Sequence, residues 1–179
     1  MPKAELHIYG AYLPQQISDL HNVKDGFLIK GWAEDINKVL SKTRINLAPL
    51  RFGAGIKGKL VAAMQNGTPS ITTKIGAEGM HQNLPWAGVV TNDVEDIVEA
   101  SVSLYQKETA WKVAQNNGVS IINSIYSKTK LSNTFALVLA AIEKDLAAHR
   151  NENFIGKMLM HHSLNSTKYL SKYIQEKNK

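Results

Sequence analysis

The sequence contains no cysteine. That excludes a disulfide scaffold, a thiol nucleophile and any zinc site built on thiolates. No apolar run approaches the roughly 20 residues that a bilayer-spanning helix requires. The opening residues, Met1-Pro2-Lys3-Ala4-Glu5, lack the pattern of a secretory signal, so the expected compartment is the cytoplasm. Aromatic residues are sparse at 7%. They form no aromatic-basic platform, and no nucleic-acid partner is expected. The most informative absence is local. Between Asp35 and Glu78 there is no acidic residue.

What is present is ordinary globular material. The 179 residues are 44% hydrophobic and 20% charged, which suits one domain or one domain with an appendage. The net charge is +6. Residues 1–123 carry 12 basic against 11 acidic side chains, and residues 124–179 carry 9 against 4. The acid-free stretch holds Lys38, Lys42, Arg44, Arg51, Lys57, Lys59 and Lys74. Uncompensated cations gathered around a glycine-rich turn point to an anionic partner.

Short apolar runs alternate with helical patterns. Strands are expected at Leu6–Tyr9, Phe27–Ile29, Ile45–Leu50, Ser70–Thr73 and Val89–Thr91. Helices are expected over Ala33–Lys42 and Ile56–Gln65, with a further helix capped by Asn92 and carrying Val94, Ile97, Val98 and Val102. Asn117-Gly118 reads as a helix stop. Beyond it, Phe135, Val138, Leu139, Ile142 and Leu146 form a stripe at helical spacing, and Phe154–Ile174 reads as a last helical region. The fold class is α/β: an open parallel sheet with helices on both faces, over residues 1–123, plus a helical C-terminal extension, residues 124–179.

The chemical centre is Pro49-Leu-Arg-Phe-Gly-Ala-Gly-Ile-Lys-Gly-Lys59. A strand ends, glycines turn the backbone and a helix begins. Helix-start amides point at whatever sits there. Lys57 and Lys59 oppose the helix dipole, at about 0.3 to 1 kcal/mol each. A bound phosphate would neutralise them. Two other motifs match poorly. Gly53, Gly58 and Lys59 fit the P-loop pattern, but Leu60 replaces the hydroxyl that holds magnesium. Gly53, Gly55 and Gly58 fit the dinucleotide pattern of an NAD-type domain. Here Thr72-Thr73-Lys74 stands where that domain needs an acid.

The run Ala48–Lys59, followed by Ala63-Met64, Gly67-Thr-Pro69, Thr72-Thr73 and Ile75-Gly-Ala-Glu-Gly79, resembles the donor-binding C-terminal half of bacterial group 1 glycosyltransferases of the GT-B fold. Leu6–Gly10, Phe27–Asp35, Trp111–Gly118 and Asn153–Lys172 extend the likeness over nearly the whole chain. The resemblance implies a Rossmann-like domain whose glycine turn holds the diphosphate of a nucleotide-sugar. Arg51, Gly53, Gly55, Lys57, Gly58 and Lys59 would form that cradle. Gly31 and Trp32 would lie near the base, and Gly76, Ala77, Glu78 and Gly79 near the sugar or cleft. The nucleotide-sugar is a substrate, a hexose would pass to an acceptor hydroxyl, and no cofactor or metal is implied.

The resemblance also marks two departures. Family members carry paired glutamates where this chain has Ala54 and Ala62. Complete members have an N-terminal acceptor domain, and a first strand and helix ahead of the present start. That strand would lie between the Leu6 and Ile45 strands. A truncated domain is therefore expected, completed by an acceptor domain or by self-association. A second reading follows: a binding or assembly module that keeps the fold without turnover.

Remaining candidates are secondary. His161-His162 on a helix point about 100° apart and do not share an ion. His81 follows the Gly-Ala-Glu-Gly loop and reads either as a cleft candidate or, as is more usual, as a surface or packed imidazole. Trp111, Tyr126, Tyr169 and Tyr173 are expected to pack between helices. Lys157, Lys168, Lys172, Lys177 and Lys179 give the tail a weak attraction to an anionic membrane surface, peripheral at the inner face.

Overall fold

Short runs bounded at one end by glycine or proline form the strands. The computed structural model describes residues 4–178, apart from the side chains of residues 161–164. The chain divides into two units, Met1–Ser127 and Lys128–Lys179.

In the first unit, β1 (Leu6–Tyr9) and β2 (Phe27–Gly31) are joined through α1 (Gln15–Ser18). They pair in parallel, with Leu6 opposite Phe27 and Ile8 opposite Ile29. An irregularity then sets Tyr9 against Gly31. The chain continues through α2 (Ile36–Leu40), β3 (Asn46–Ala48), α3 (Gly58–Gln65), β4 (Ser70–Thr72), α4 (Lys74–Ala77) and β5 (Gly88–Val90). β3, β4 and β5 pair in parallel in that order. Every named strand pair is thus parallel, but in two sheets, β1-β2 and β3-β4-β5.

β4 is the buried centre of the larger sheet. Ser70, Ile71 and Thr72 each have no exposed surface. Side chains alternate across the pleat. On one face Ile71 packs with Leu104 of α5 (Val94–Gln106) and Ala114 of α6 (Glu108–Ser124), flanked by Ile45 and Val89. The other face carries Ala48, Leu60, Met64, Met80, Trp86 and Ile121. Helices therefore cover both faces of this sheet, as a buried parallel ladder requires. Burial of Leu60 or Met64 stabilises the fold by about 1.5–3 kcal/mol each. The polar atoms of the strand are satisfied. Asn46 Nδ2 donates to Ser70 Oγ at 3.0 Å, Thr72 Oγ1 to the Ala48 carbonyl at 2.7 Å and Trp86 Nε1 to the Ser70 carbonyl at 3.1 Å.

α2 is anchored to this body. Asp35 caps it by accepting from the Asn37 and Lys38 amides. Thr68 Oγ1 donates to the Leu40 carbonyl at 2.8 Å, and Asn66 Nδ2 to Asn37 Oδ1 at 2.9 Å. Trp111 and Tyr126 pack as expected. Trp111 Nε1 reaches the Arg44 carbonyl at 2.7 Å, with the Arg44 guanidinium over its ring. The Tyr126 hydroxyl donates to the Met80 carbonyl at 2.9 Å, and burial pushes its phenol pKa up.

Two local expectations are corrected. Asp93, not Asn92, caps α5, accepting from the Glu95 and Asp96 amides. Asn92 instead accepts from the Lys74 amide. Asn117-Gly118 does not stop a helix, because α6 runs through it. Gly118 is needed for space: a Cβ there would lie 3.2 Å from Ala87 Cβ and 3.4 Å from Met64 Cγ.

The second unit contains α7 (Lys128–Lys144), α8 (Leu146–Glu152) and α9 (Phe154–Lys177). Asp145 caps α8 and Asn153 caps α9. Tyr169 and Tyr173, expected to pack, are exposed. Among the described residues no helix is long and apolar enough to cross a membrane.

Gly118→Leu overfills the contact between α6 and α3 and costs about 1–3 kcal/mol of stability, read as a lower urea midpoint. An unchanged midpoint would show that α6 does not approach that closely.

Candidate functional site

The glycine turn leaves β3 at the carboxyl end of its sheet, where open α/β sheets bind ligands. Two hydroxyls, one at the end of β4 and one just after it, fix its start. Thr72 Oγ1 holds the Ala48 carbonyl and Thr73 Oγ1 holds the Leu50 carbonyl at 2.5 Å. Thr73 also caps α4 by accepting from the Gly76 amide. The turn and the start of α4 are therefore tied at one sheet end.

Residues 51–56 are exposed. Gly53 has φ +149° and Gly55 φ +66°, conformations that L side chains rarely adopt. No atom outside their immediate neighbours lies within 4 Å of where a Cβ would stand on Gly55 or Gly58. The turn thus presents bare main chain to open space. α3 begins at Gly58, after Lys57 with no side-chain cap. The Leu60 and Val61 amides donate to the Lys57 carbonyl. The Gly58 and Lys59 amides precede them and have no intrahelical acceptor.

Lys57 is the unusual side chain here. It is only 8% exposed, although lysine is almost never fully buried unless paired. Its stem runs beneath Gly53, whose Cβ position is 3.9 Å from Lys57 Cε. Among the described residues it has no carboxylate partner, and no acid lies within the surrounding sequence from Ile36 to Ala77. Arg51 and Lys59 are exposed beside it. Lys57, two helix amides without intrahelical acceptors and an open glycine turn thus meet at one end of the sheet.

The other predicted site residues fall in two groups. Gly76 and Ala77 are buried in α4. A Cβ at Gly76 would lie 1.9 Å from Thr72 Oγ1, so this glycine serves close packing. Glu78 and Gly79 are exposed. Gly31 and Trp32 stand at the carboxyl end of β2, in the other sheet. With Gly10, Ala11, Tyr12 and Leu13 they line a cavity of about 670 Å³. Trp32 is 73% exposed. Tyr12 and Leu13 were not among the residues expected here. Their only signal in the sequence is their place just after the strand-ending Gly10. His81, a cleft candidate, is instead packed: Nδ1 lies 2.6 Å from the Leu84 carbonyl and the ring meets Trp86 edge-on. The side chains of His161 and His162 lie outside the described residues. Among the described residues no three potential metal ligands gather.

The fold is an α/β domain with a glycine turn and an uncapped helix start at the carboxyl edge of a parallel sheet. A family model for group 1 glycosyl transferases matches residues 1–107. The chain belongs to that family. The match spans β1 through α5 and stops before α6. No curated protein matches the chain.

Lys57→Met keeps the packed stem and removes the charge. It should raise stability by about 0.3–1 kcal/mol, because a cation at a helix start opposes the dipole. A lower unfolding midpoint in ligand-free buffer would show that Lys57 supports the fold rather than a ligand.

Proposed function

We propose that the turn binds the diphosphate of a nucleotide-sugar, and that the domain is the donor side of a glycosyltransferase. The observation that carries this reading is Lys57: a lysine only 8% exposed, with no carboxylate partner among the described residues, beside two uncapped helix amides. Family membership supplies the reaction class, transfer of a glycosyl group. During transfer the bond between the anomeric carbon and the diphosphate oxygen breaks, and its electron pair stays with the diphosphate. Negative charge grows at that oxygen. Lys57, the Gly58 and Lys59 amides, and the Arg51 and Lys59 side chains then oppose that charge; a preorganised main-chain donor of this kind contributes up to about 2.7–4 kcal/mol, exposed side chains less. The acceptor hydroxyl forms the new bond and gives up its proton. Acceptor recognition is assigned to a separate domain.

Trp32 and Tyr12 offer ring surfaces for the base in the cavity at the β1 and β2 ends. Ala62 lies on α3 where the family resemblance implies a carboxylate for the ribose, so in this reading the diphosphate supplies most of the affinity.

The test is calorimetric titration with UDP, GDP, UDP-glucose and NAD. One nucleoside diphosphate should bind, NAD should not, and Lys57→Ala should weaken binding at least about tenfold, or 1.4 kcal/mol. Silence from all four ligands, with a folded chain, would reject the donor-site reading in favour of a module without turnover.

A further inference from the structure

The 17 residues of α7 make a helix that is marginal in water unless it packs an apolar stripe against something. Yet α7 buries no residue. Leu131 is 54%, Phe135 65% and Val138 51% exposed, and Ile142 is half-buried. These four residues recur at intervals of four, three and four. That is the 3.5-residue repeat of a narrow seam against a second helix. A helix lying on a globular core carries a broader stripe.

One further step of the same repeat at each end reaches Lys128 and Asp145. Both are exposed. The seam therefore begins on a cation and ends on an anion. Lys128 stands at the start of α7, where a cation opposes the helix dipole. No acidic residue in the first turn offsets it. Asp145 follows the last residue of α7. It is held there as the cap of α8, its Oδ1 accepting from the Ala148 amide at 2.8 Å.

A like helix laid antiparallel turns this polarity into a match. The register that sets Phe135 against Val138 of the second copy also sets Leu131 against Ile142 and Lys128 against Asp145. The two-fold axis then passes midway between Phe135 and Val138, so each contact occurs twice. Apolar layers fill the centre and opposite charges close both ends. A parallel copy would instead set Lys128 against Lys128 and Asp145 against Asp145, which repel. An antiparallel contact of this kind is isologous and stops at a dimer.

We propose that α7 is a self-pairing surface, through which two copies of this chain join as an antiparallel helix pair. The occupant is a second copy because the seam complements itself in spacing, polarity and charge. The apolar seam is short, about 18 Å, and buries less than a standard interface, so the dimer dissociates at micromolar concentrations. The pairing uses neither the glycine turn nor any strand, and it holds whichever ligand the turn takes.

The chain has no cysteine, so single introduced thiols report its contacts cleanly. Leu131→Cys and Ile142→Cys chains are oxidised separately and as a mixture. The antiparallel register brings positions 131 and 142 together and keeps like positions roughly 16 Å apart, too far for a disulfide. The mixture should form covalent dimer at least about tenfold faster than either chain alone. Equal cross-linking of each chain by itself would show parallel pairing or chance collision and overturn the proposal. Sedimentation equilibrium of the unaltered chain gives an independent reading, a monomer-dimer equilibrium. Lys128→Glu keeps every apolar layer and suits the helix dipole, so α7 stays folded, yet it should weaken the dimer at least about threefold. A chain that remains monomeric at millimolar concentration would overturn the proposal. So would a dimer that Lys128→Glu leaves unchanged or tightens, which would place the contact elsewhere.

Discussion

The complete burial of β4 between β3 and β5 is the constraint on which the rest of the first unit depends. Ser70, Ile71 and Thr72 expose nothing, so every polar atom on them must be used internally. Two of the hydroxyls at its carboxyl end are spent on neighbouring carbonyls, Thr72 on Ala48 and Thr73 on Leu50. Those bonds fix the direction in which the chain leaves β3. The glycine turn and the start of α3 inherit that direction. Gly76 must be glycine for the same reason, since the Thr72 hydroxyl occupies the space of a Cβ.

Electrostatics then act on a frame already set by packing. A helix start repels cations by a few tenths of a kcal/mol at the surface. The chain accepts this at Lys57, packs that side chain down to 8% exposure and gives it no carboxylate partner among the described residues. Removing acids over the whole stretch from Ile36 to Ala77 leaves the turn's field uncancelled. Under the proposed function an anion from solution resolves the imbalance, and membership of the group 1 glycosyl transferase family suggests its chemical class.

Much of this was legible in the sequence because short apolar runs bounded by glycine have few alternatives. All five strands lie where the pattern puts them, although the third shrinks from Ile45–Leu50 to Asn46–Ala48 because Pro49 and Leu50 already belong to the turn. The glycine turn was legible from its residues alone. Other features depend on tertiary contact. Gly118 looks like a stop by local propensity, yet α6 passes through it because Ala87 and Met64 leave no room for a side chain. Gly76 and Ala77 look like open loop and are core. Asn92 and Asp93 are both competent caps, and the tie between Asn92 and Lys74 decides which one serves. The burial of Lys57 has no signature in sequence, since lysine is a surface residue by default. Strand positions also do not reveal pairing. The break between β1 and β3 appears only when the ladders are traced.

The central claim is that the uncapped start of α3 and its sheltered lysine form the anion site. The most direct measurement is a nitrogen-proton correlation spectrum of labelled chain during titration with UDP. The account predicts that the largest shifts fall on the Gly58 and Lys59 amides, with Gly53 and Gly55 next, and that the Lys57 ammonium slows its proton exchange. Shifts confined to residues around Trp32, with Gly58 and Lys59 unmoved, would contradict it.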